Sequence, residues 1–195
     1  MKTVKIFYDT ETTGTKFWKH SLHQIAGLIE VNGVVVEEFD LRVRPHPNAV
    51  IDPSALIAGN VTEEQIMGYA PMKDMLPVFT SILDNYVDRF DRASKAFLVG
   101  YNNSAFDDRF LRTWFELCGN RFYGAYFWSG PLDAMVLAAE YLKERRPQMP
   151  SFKLHRVCTE LGIPVDKDRI HESLYDAHLT REIYQIVTGL RDELM

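Results

Sequence analysis

Alternating and short apolar runs near the N-terminus predict three β-strands. Residues 2–8, 24–31 and 34–43 carry hydrophobic side chains in runs bounded by turn residues. Asn32-Gly33 joins the second run to the third and is a strong signal for a tight hairpin turn. We therefore expect the second and third strands to pair antiparallel, with the first strand as the neighbour of this hairpin.

The rest of the chain is dominated by helical spacing, with two further strands over residues 96–101 and 124–128. Thr62-Glu63-Glu64-Gln65 fits a capping box at the start of a short helix. The element order predicts an α/β fold with a mixed five-stranded sheet, helices on both faces, and a single domain over residues 1–195. Apolar positions three or four apart predict the longer helices over residues 72–90, 104–118, 132–145, 151–161 and 174–190.

Composition and charge restrict the class of protein. A hydrophobic content of 46% and a charged content of 25% are ordinary for a soluble globular protein. Cys118 and Cys158 lie in apolar helical patterns, which predicts buried reduced thiols. The N-terminus has no signal-peptide pattern and no apolar stretch reaches transmembrane length, so we expect a cytoplasmic protein. The net charge of −5 argues against a broad duplex-binding surface, but not against an enzyme that grips a few terminal nucleotides.

Five ionisable side chains occur in three clusters at the ends of predicted strands or the starts of predicted helices. Asp9 and Glu11 are two residues apart at a strand end, so both leave the same face, where two carboxylates favour a cation between them. Asp107 is expected in the first turn of a helix, His171 just before the last helix, and Asp176 near its start. Taken singly, each has an ordinary explanation as an exposed turn residue, a helix-terminus charge or a surface histidine.

The combination is more specific than its parts. In order, the chain contains Asp9-x-Glu11, then Phe106-Asp107, then His171 followed five residues later by Asp176. This set resembles the three motifs of the DEDDh family of 3′–5′ exonucleases. The resemblance implies a ribonuclease H-like fold, two divalent cations (Mg²⁺ or Mn²⁺), and hydrolysis at nucleic-acid 3′ ends that releases nucleoside 5′-monophosphates.

The resemblance also implies a role for each of these side chains. Asp9, Glu11 and Asp176 would hold one cation, and Asp9 with Asp107 would hold the second. His171 would take a proton from the attacking water, which suits an imidazole near neutral pH.

Four residues are candidates for substrate contact. Thr12 matches a family position that meets the sugar of the terminal nucleotide. Asn103 is expected either to cap the following helix or to contact a phosphate or sugar. Phe106 and Trp18 are expected to stack on terminal bases, with core packing as an equally good explanation for Phe106.

Three neighbouring features have ordinary explanations in the sequence. Asp108 is expected to be solvated, and Asp133 is expected to cap a helix. The basic residues between 143 and 156 are typical of solvated helix ends, with contact to a phosphate backbone as the alternative.

Several alternatives remain open at the level of sequence. The favoured substrate is the 3′ end of single-stranded DNA, and the closest rival is an RNA-directed member of the same family, of the ribonuclease T or oligoribonuclease type. A non-catalytic nucleic-acid-binding module and a small-molecule metalloenzyme are alternatives of other classes. A polymerase or repair partner is possible, no membrane is expected, and both a monomer and a homodimer are compatible with the sequence.

Overall fold

A computed structural model describes residues 2–190 of the chain. It contains a five-stranded mixed sheet with the strand order β3-β2-β1-β4-β5. The predicted α/β class, with helices on both faces of the sheet, is confirmed. The strands are β1 (Val4–Thr12), β2 (Leu22–Val31), β3 (Val34–Arg42), β4 (Phe97–Gly100) and β5 (Leu132–Asp133).

The strand pairing places β1 at the centre of the sheet. β2 pairs antiparallel with β1 on one side and with β3 on the other, which confirms the predicted hairpin at Asn32-Gly33. β4 runs parallel to β1, and β5 runs parallel to β4. The register between β1 and β2 shifts between Glu11 and Thr12, so the strand bends where its acidic residues end.

The longer helices lie where the sequence predicts them, but most of them are shorter than the predicted ranges. The capping box at Thr62 is present, with the side chains of Thr62 and Gln65 each accepting from the other residue's backbone amide. Two short 3₁₀ turns cover Arg146–Gln148 and Lys167–Arg169. The helices are α1 (Pro53–Ala58), α2 (Glu63–Met67), α3 (Met72–Asp84), α4 (Asp107–Leu117), α5 (Tyr123–Tyr126), α6 (Ala134–Tyr141), α7 (Leu154–Glu160) and α8 (Ser173–Val187).

The prediction of a fifth strand over residues 124–128 is wrong. Tyr123–Tyr126 form the single turn α5, and Phe127 makes an isolated parallel bridge to Ala96. The rings of Tyr123, Tyr126 and Phe127 pack around Phe115 in the core. The true fifth strand is the two-residue β5, which is too short to produce a hydrophobic period.

Successive side chains of β1 point to opposite faces of the sheet. Ile6 and Tyr8 belong to the core cluster that contains residues of α3 and α4. Phe7 points to the opposite face and packs against Tyr184 of α8, with ring centroids 5.5 Å apart. Odd-numbered residues of β1 therefore face α8, and this alternation decides the direction of Asp9 and Glu11.

Both cysteines are free thiols, as expected from the sequence, although only Cys158 is fully buried and Cys118 is half-buried. Burial raises the pKa of Cys158 to about 12. Within residues 2–190, every helix is too short or too polar to cross a lipid bilayer.

Candidate active site

The acidic residues meet at one edge of the sheet. Asp9 and Glu11 lie near the carboxyl end of β1, and Asp107 is the first residue of α4, which follows β4. Asp176 lies in the first turn of α8, which packs on the β1 face that carries Asp9 and Glu11. The parallel pairing of β1 and β4 brings both chain segments to the same edge, so Asp9 and Asp107 become neighbours although they are far apart in the sequence.

Asp107 is fixed by its neighbour on β1. The backbone amide and the hydroxyl of Thr10 both donate to Oδ1 of Asp107, at 3.1 and 2.6 Å. Thr10 points away from Asp9 and Glu11 along the strand, towards α4. The middle residue of the Asp-Thr-Glu motif therefore orients the carboxylate of the second motif, a role that the sequence analysis missed.

Ser173 joins the first and third motifs. Its hydroxyl is buried, lies 3.3 Å from Oε1 of Glu11, and also hydrogen-bonds the Asp9 carboxylate. The residue opens α8, two positions after His171. Sequence reasoning missed it because a serine at a helix start is most often explained as a cap.

The electrostatics show that the four carboxylates interact. Burial, followed by repulsion from Asp107, Glu11 and Asp176, raises the pKa of Asp9 well above its usual range. Burial raises the pKa of Glu11 to about 7, against the opposing effect of the Ser173 hydroxyl. Burial likewise raises the pKa of Asp107 to about 7 and that of Asp176 to about 6. Four acids that are hard to ionise together form a site where a cation would be strongly favoured.

The donor chemistry of the site suits a hard divalent cation, since all four side chains offer carboxylate oxygens. Within the described part of the chain, no three histidine, cysteine or acidic side chains converge closely enough to form a ready-made metal cage. The side chains are therefore neighbours rather than a closed coordination shell. The fit to a cation rests on their chemistry and their mutual repulsion.

His171 lies beside Asp176 in a cleft of about 370 Å³. The residue is exposed and has a left-handed backbone conformation, with φ of 73°. Its backbone amide hydrogen-bonds the Asp176 carboxylate. Tyr101 and Phe152 form part of the same cleft, so the imidazole borders a space that is open to a ligand.

Thr12 and Asn103 are both buried at the site. The Thr12 hydroxyl donates to the carbonyl of Gly14 at 2.9 Å, so its side chain stabilises the turn after β1. Asn103 does not cap α4. The N-cap residue of this helix is Phe106, and no side chain caps it. Its buried amide group has no well-formed hydrogen bond, and it packs so closely on Gly100 that a Cβ there would lie 2.6 Å from the Asn103 Cβ.

The two aromatic candidates differ sharply in exposure. Phe106 is half-buried, packs against the core and contacts the ring of Phe110 at 5.0 Å. Trp18 is 71% exposed and meets Phe17 edge-to-face at 5.0 Å. The guanidinium of Arg109 lies 5.7 Å from the Phe17 ring, which anchors the loop of Trp18 on α4.

Of the two other acids near the site, one contradicts the prediction and one confirms it. Asp108 was expected to be solvated, which is wrong: it is buried, accepts from the Tyr123 hydroxyl and pairs with Arg112 at 2.7 Å. Asp133 caps α6 as expected through the amide of Met135. It also accepts from the amide of Asn102 and the hydroxyl of Ser104, and so fixes the loop that leads to α4.

Gly14 allows the turn that closes the site. Its φ of 152° lies in a region that L-residues rarely adopt, and a Cβ would lie 2.5 Å from the ring of His20. Nδ1 of His20 in turn accepts a hydrogen bond from the backbone amide of Lys16 at 2.9 Å. The close approach explains why a glycine follows the Asp-x-Glu motif here.

Comparison with known proteins identifies the family of the chain. The protein-family model for exonucleases of the RNase_T group matches residues 6–184. Curated relatives include a PolC-type DNA polymerase III of Thermotoga petrophila, which is 27% identical over 92% of this chain and 11% of the relative. The DNA polymerase III subunit epsilon of Pasteurella multocida is 24% identical over 96% of this chain and 69% of that subunit. Ribonuclease T of Baumannia cicadellinicola is 27% identical over 92% of this chain and 80% of that enzyme.

Solved structures share the fold. The zinc-bound complex of Escherichia coli exonuclease I with single-stranded DNA superposes with a TM-score of 0.79 at 20% identity, over the whole of this chain. The chain corresponds to 42% of exonuclease I and to about a ninth of the PolC-type polymerase. The fold is therefore ribonuclease H-like, and the match over residues 6–184 shows that the chain belongs to the exonuclease family.

Proposed function

We propose that the protein is a metal-dependent 3′–5′ exonuclease that releases nucleoside 5′-monophosphates from nucleic-acid 3′ ends. The observation that carries this proposal is the electrostatic coupling of Asp9 to Asp107, Glu11 and Asp176 at one sheet edge. A binding module without catalysis has no use for four clustered acids with raised pKa values, because each raises the free energy of the folded protein at neutral pH.

The site residues have distinct tasks in this proposal. Asp9, Glu11, Asp107 and Asp176 would hold two divalent cations, Mg²⁺ or Mn²⁺, which supply an activated water and charge stabilisation when bound. Thr10 holds Asp107 in place, and Ser173 holds Asp9 and Glu11. His171 borders the cleft beside Asp176, where its imidazole accepts the proton of the attacking water.

Of the remaining candidates, one would contact the substrate directly and three would shape its pocket. Trp18 presents an exposed indole for stacking on a base, which tolerates any sequence. Asn103 is fully buried with its amide near the Tyr8 hydroxyl, so it would support the substrate pocket from within. Thr12 and Phe106 shape the pocket mainly through the turn and the core that they stabilise.

Single-stranded DNA is the proposed substrate. Its support is the likeness to epsilon subunits and the fold shared with an exonuclease I that was solved with single-stranded DNA. The similarity to ribonuclease T supports RNA as the second candidate. We further propose that the protein acts in the cytoplasm, as a monomer or homodimer, with a polymerase or repair protein as a possible partner.

The test uses matched 5′-labelled single-stranded DNA and RNA oligonucleotides with Mg²⁺ or Mn²⁺. We expect a ladder that shortens from the 3′ end and disappears with EDTA. The variants Asp9→Asn and His171→Ala should lose at least about a hundredfold in rate, in line with removal of a metal ligand or a general base. The faster substrate decides between DNA and RNA.

Matched controls separate chemistry from folding. Asp91→Asn changes an acid in the α3–β4 loop whose carboxylate accepts only the local amide of Ala93, so its activity should equal that of the wild type. Folded wild-type protein that binds the oligonucleotides but produces no ladder with either metal would overturn the exonuclease proposal in favour of a binding module.

A further inference from the structure

A basic groove continues from the active-site cleft along α7. The cleft that contains His171 and Asp176 shares His155 and Ile170 with a second hollow of about 570 Å³. We call this second hollow the α7 groove; its lining includes Arg156, Thr159, Ile163, Val165 and Lys167. The two spaces are neighbours on either side of these shared residues, so a chain leaving the cleft past His155 would enter the α7 groove.

We propose that the α7 groove binds the phosphodiester backbone of the single strand that leads away from the 3′ end. This inference rests on the proposed exonuclease function, since it extends the substrate path of the same site. It assigns Lys153, Arg156 and Lys167 as phosphate contacts.

The charges of the groove support this assignment. Lys153, Arg156 and Lys167 are exposed, and none of them forms an ion pair with a carboxylate of residues 2–190. Lys153 and Arg156 lie close enough to His155 to lower its pKa, after the larger effect of its burial. Arg156 and Lys167 line the α7 groove, and Lys153 lines the adjoining cleft. Together they form a local positive surface along the two spaces, on a chain whose net charge is −5.

The floor of the groove suits the rest of a nucleotide. Ile163 is buried, while Val165 and Ile170 are half-buried, and all three line the hollow. Apolar side chains between basic ones offer contact for sugars and bases without reading their sequence. The volume is that of a small-molecule pocket, which is enough for a nucleotide unit.

The adjoining basic residues are distinguished from the groove by their partners. Arg145 pairs with Glu160 at 3.4 Å, and Lys143 pairs with Glu140 at 3.4 Å. Because these two cations already have carboxylate partners and do not line the groove, they are weaker candidates for phosphate contact than Arg156 and Lys167. This difference predicts which part of the basic stretch between residues 143 and 167 contacts the strand.

The test measures binding of a fluorescent dodecanucleotide and a trinucleotide with Ca²⁺ in place of Mg²⁺, by anisotropy over a salt series. The variant Arg156→Gln/Lys167→Gln should bind the dodecanucleotide about tenfold more weakly. Its plot of log K against log salt should be less steep by about 1.4, since each single-strand phosphate contact contributes about 0.7. The trinucleotide, whose terminal nucleotide occupies the active-site cleft, leaves few phosphates for the groove and should lose less affinity than the dodecanucleotide.

The control Arg92→Gln/Arg121→Gln removes the same charge from exposed loops that do not line the cleft or the groove. It should bind both oligonucleotides like the wild type. Equal affinity and equal salt slope in the groove variant and the wild type would overturn the groove, as would equal losses for both lengths.

The two proposals fail in different ways. If the wild-type protein produces no ladder with Mg²⁺ but the groove variant still shows the length-dependent loss, the exonuclease proposal is wrong and the groove stands. If the ladder is normal while the variant binds the dodecanucleotide like the wild type, only the groove is wrong.

Discussion

The substitution Asp107→Asn is expected to make the metal-free protein more stable while it removes activity. Burial raises the pKa of Asp107 from 3.8 to about 7, so the folded state holds this proton more tightly than the unfolded chain does. Such a group lowers the free energy of unfolding as the pH rises from about 4 through about 7. Asparagine removes the charge but keeps Oδ1, which accepts both hydrogen bonds of Thr10.

The magnitude follows from the shift of about 3 units, which corresponds to about 4 kcal/mol at 1.36 kcal/mol per unit. Part of this is shared with Asp9, and the buried amide also loses hydration, so we expect a gain of roughly 1–3 kcal/mol at pH 8.5. For a chain of this size, that gain raises the melting temperature by roughly 2–10 °C. The loss accrues from about pH 4 upward, and most of it falls between pH 5 and pH 7, so the difference between variant and wild type should be less than half as large at pH 5 as at pH 8.5.

The assay is urea unfolding at pH 5 and pH 8.5, with EDTA and then with excess Mg²⁺. Metal binding to the folded state adds about 2.7 kcal/mol at a hundredfold excess over Kd, so Mg²⁺ should stabilise the wild type much more than the variant. Glu37→Gln serves as the charge-matched control. Glu37 lies on β3, far from the site, and its carboxylate accepts a hydrogen bond from the Tyr86 hydroxyl. A variant no more stable than the wild type at pH 8.5, or equally more stable at both pH values, would refute the electrostatic reasoning.

Three other predictions follow from the contacts of single side chains. Ser173→Ala removes the hydroxyl that contacts Asp9 and Glu11, so Mg²⁺ affinity measured by calorimetry should fall about tenfold, and an unchanged affinity would contradict that role. Trp18→Ala should leave the melting temperature unchanged and weaken oligonucleotide binding by roughly 1–3 kcal/mol, as for one lost stacking contact; a large loss of stability would show that the indole is structural. The buried thiol of Cys158, whose pKa is raised to about 12, should react with a thiol reagent only after denaturation, as followed by mass spectrometry.

The sequence predicted those parts of the fold that depend on local patterns. The hairpin at Asn32-Gly33 and the capping box at Thr62 are local signals, and both are confirmed. The two-residue β5 is too short to show a hydrophobic period. It is defined by its parallel pairing with β4. The segment around α5 was predicted to be a strand because its aromatic residues are as typical of a strand as of a buried helical turn.

The candidate site shows the same division between local and long-range information. The acidic motifs were found from their spacing and order, but the residues that hold the carboxylates in place were not. Thr10 and Ser173 act through contacts that span 97 and 162 positions in the sequence. Asp108 was misjudged for a related reason, since its partner Tyr123 approaches from another element. Partners that only the folded chain brings together leave no period or motif to detect.

The strict alternation of β1 means that this protein cannot tolerate a change of length in that strand. Inserting or deleting one residue between Val4 and Ile6 would turn both carboxylates into the aromatic core beneath α4. The same shift would turn Ile6 and Tyr8 outward to α8. Loss of activity and loss of folding would then come from one event, so intact members of a sequence library at these positions should differ by substitution and almost never by length.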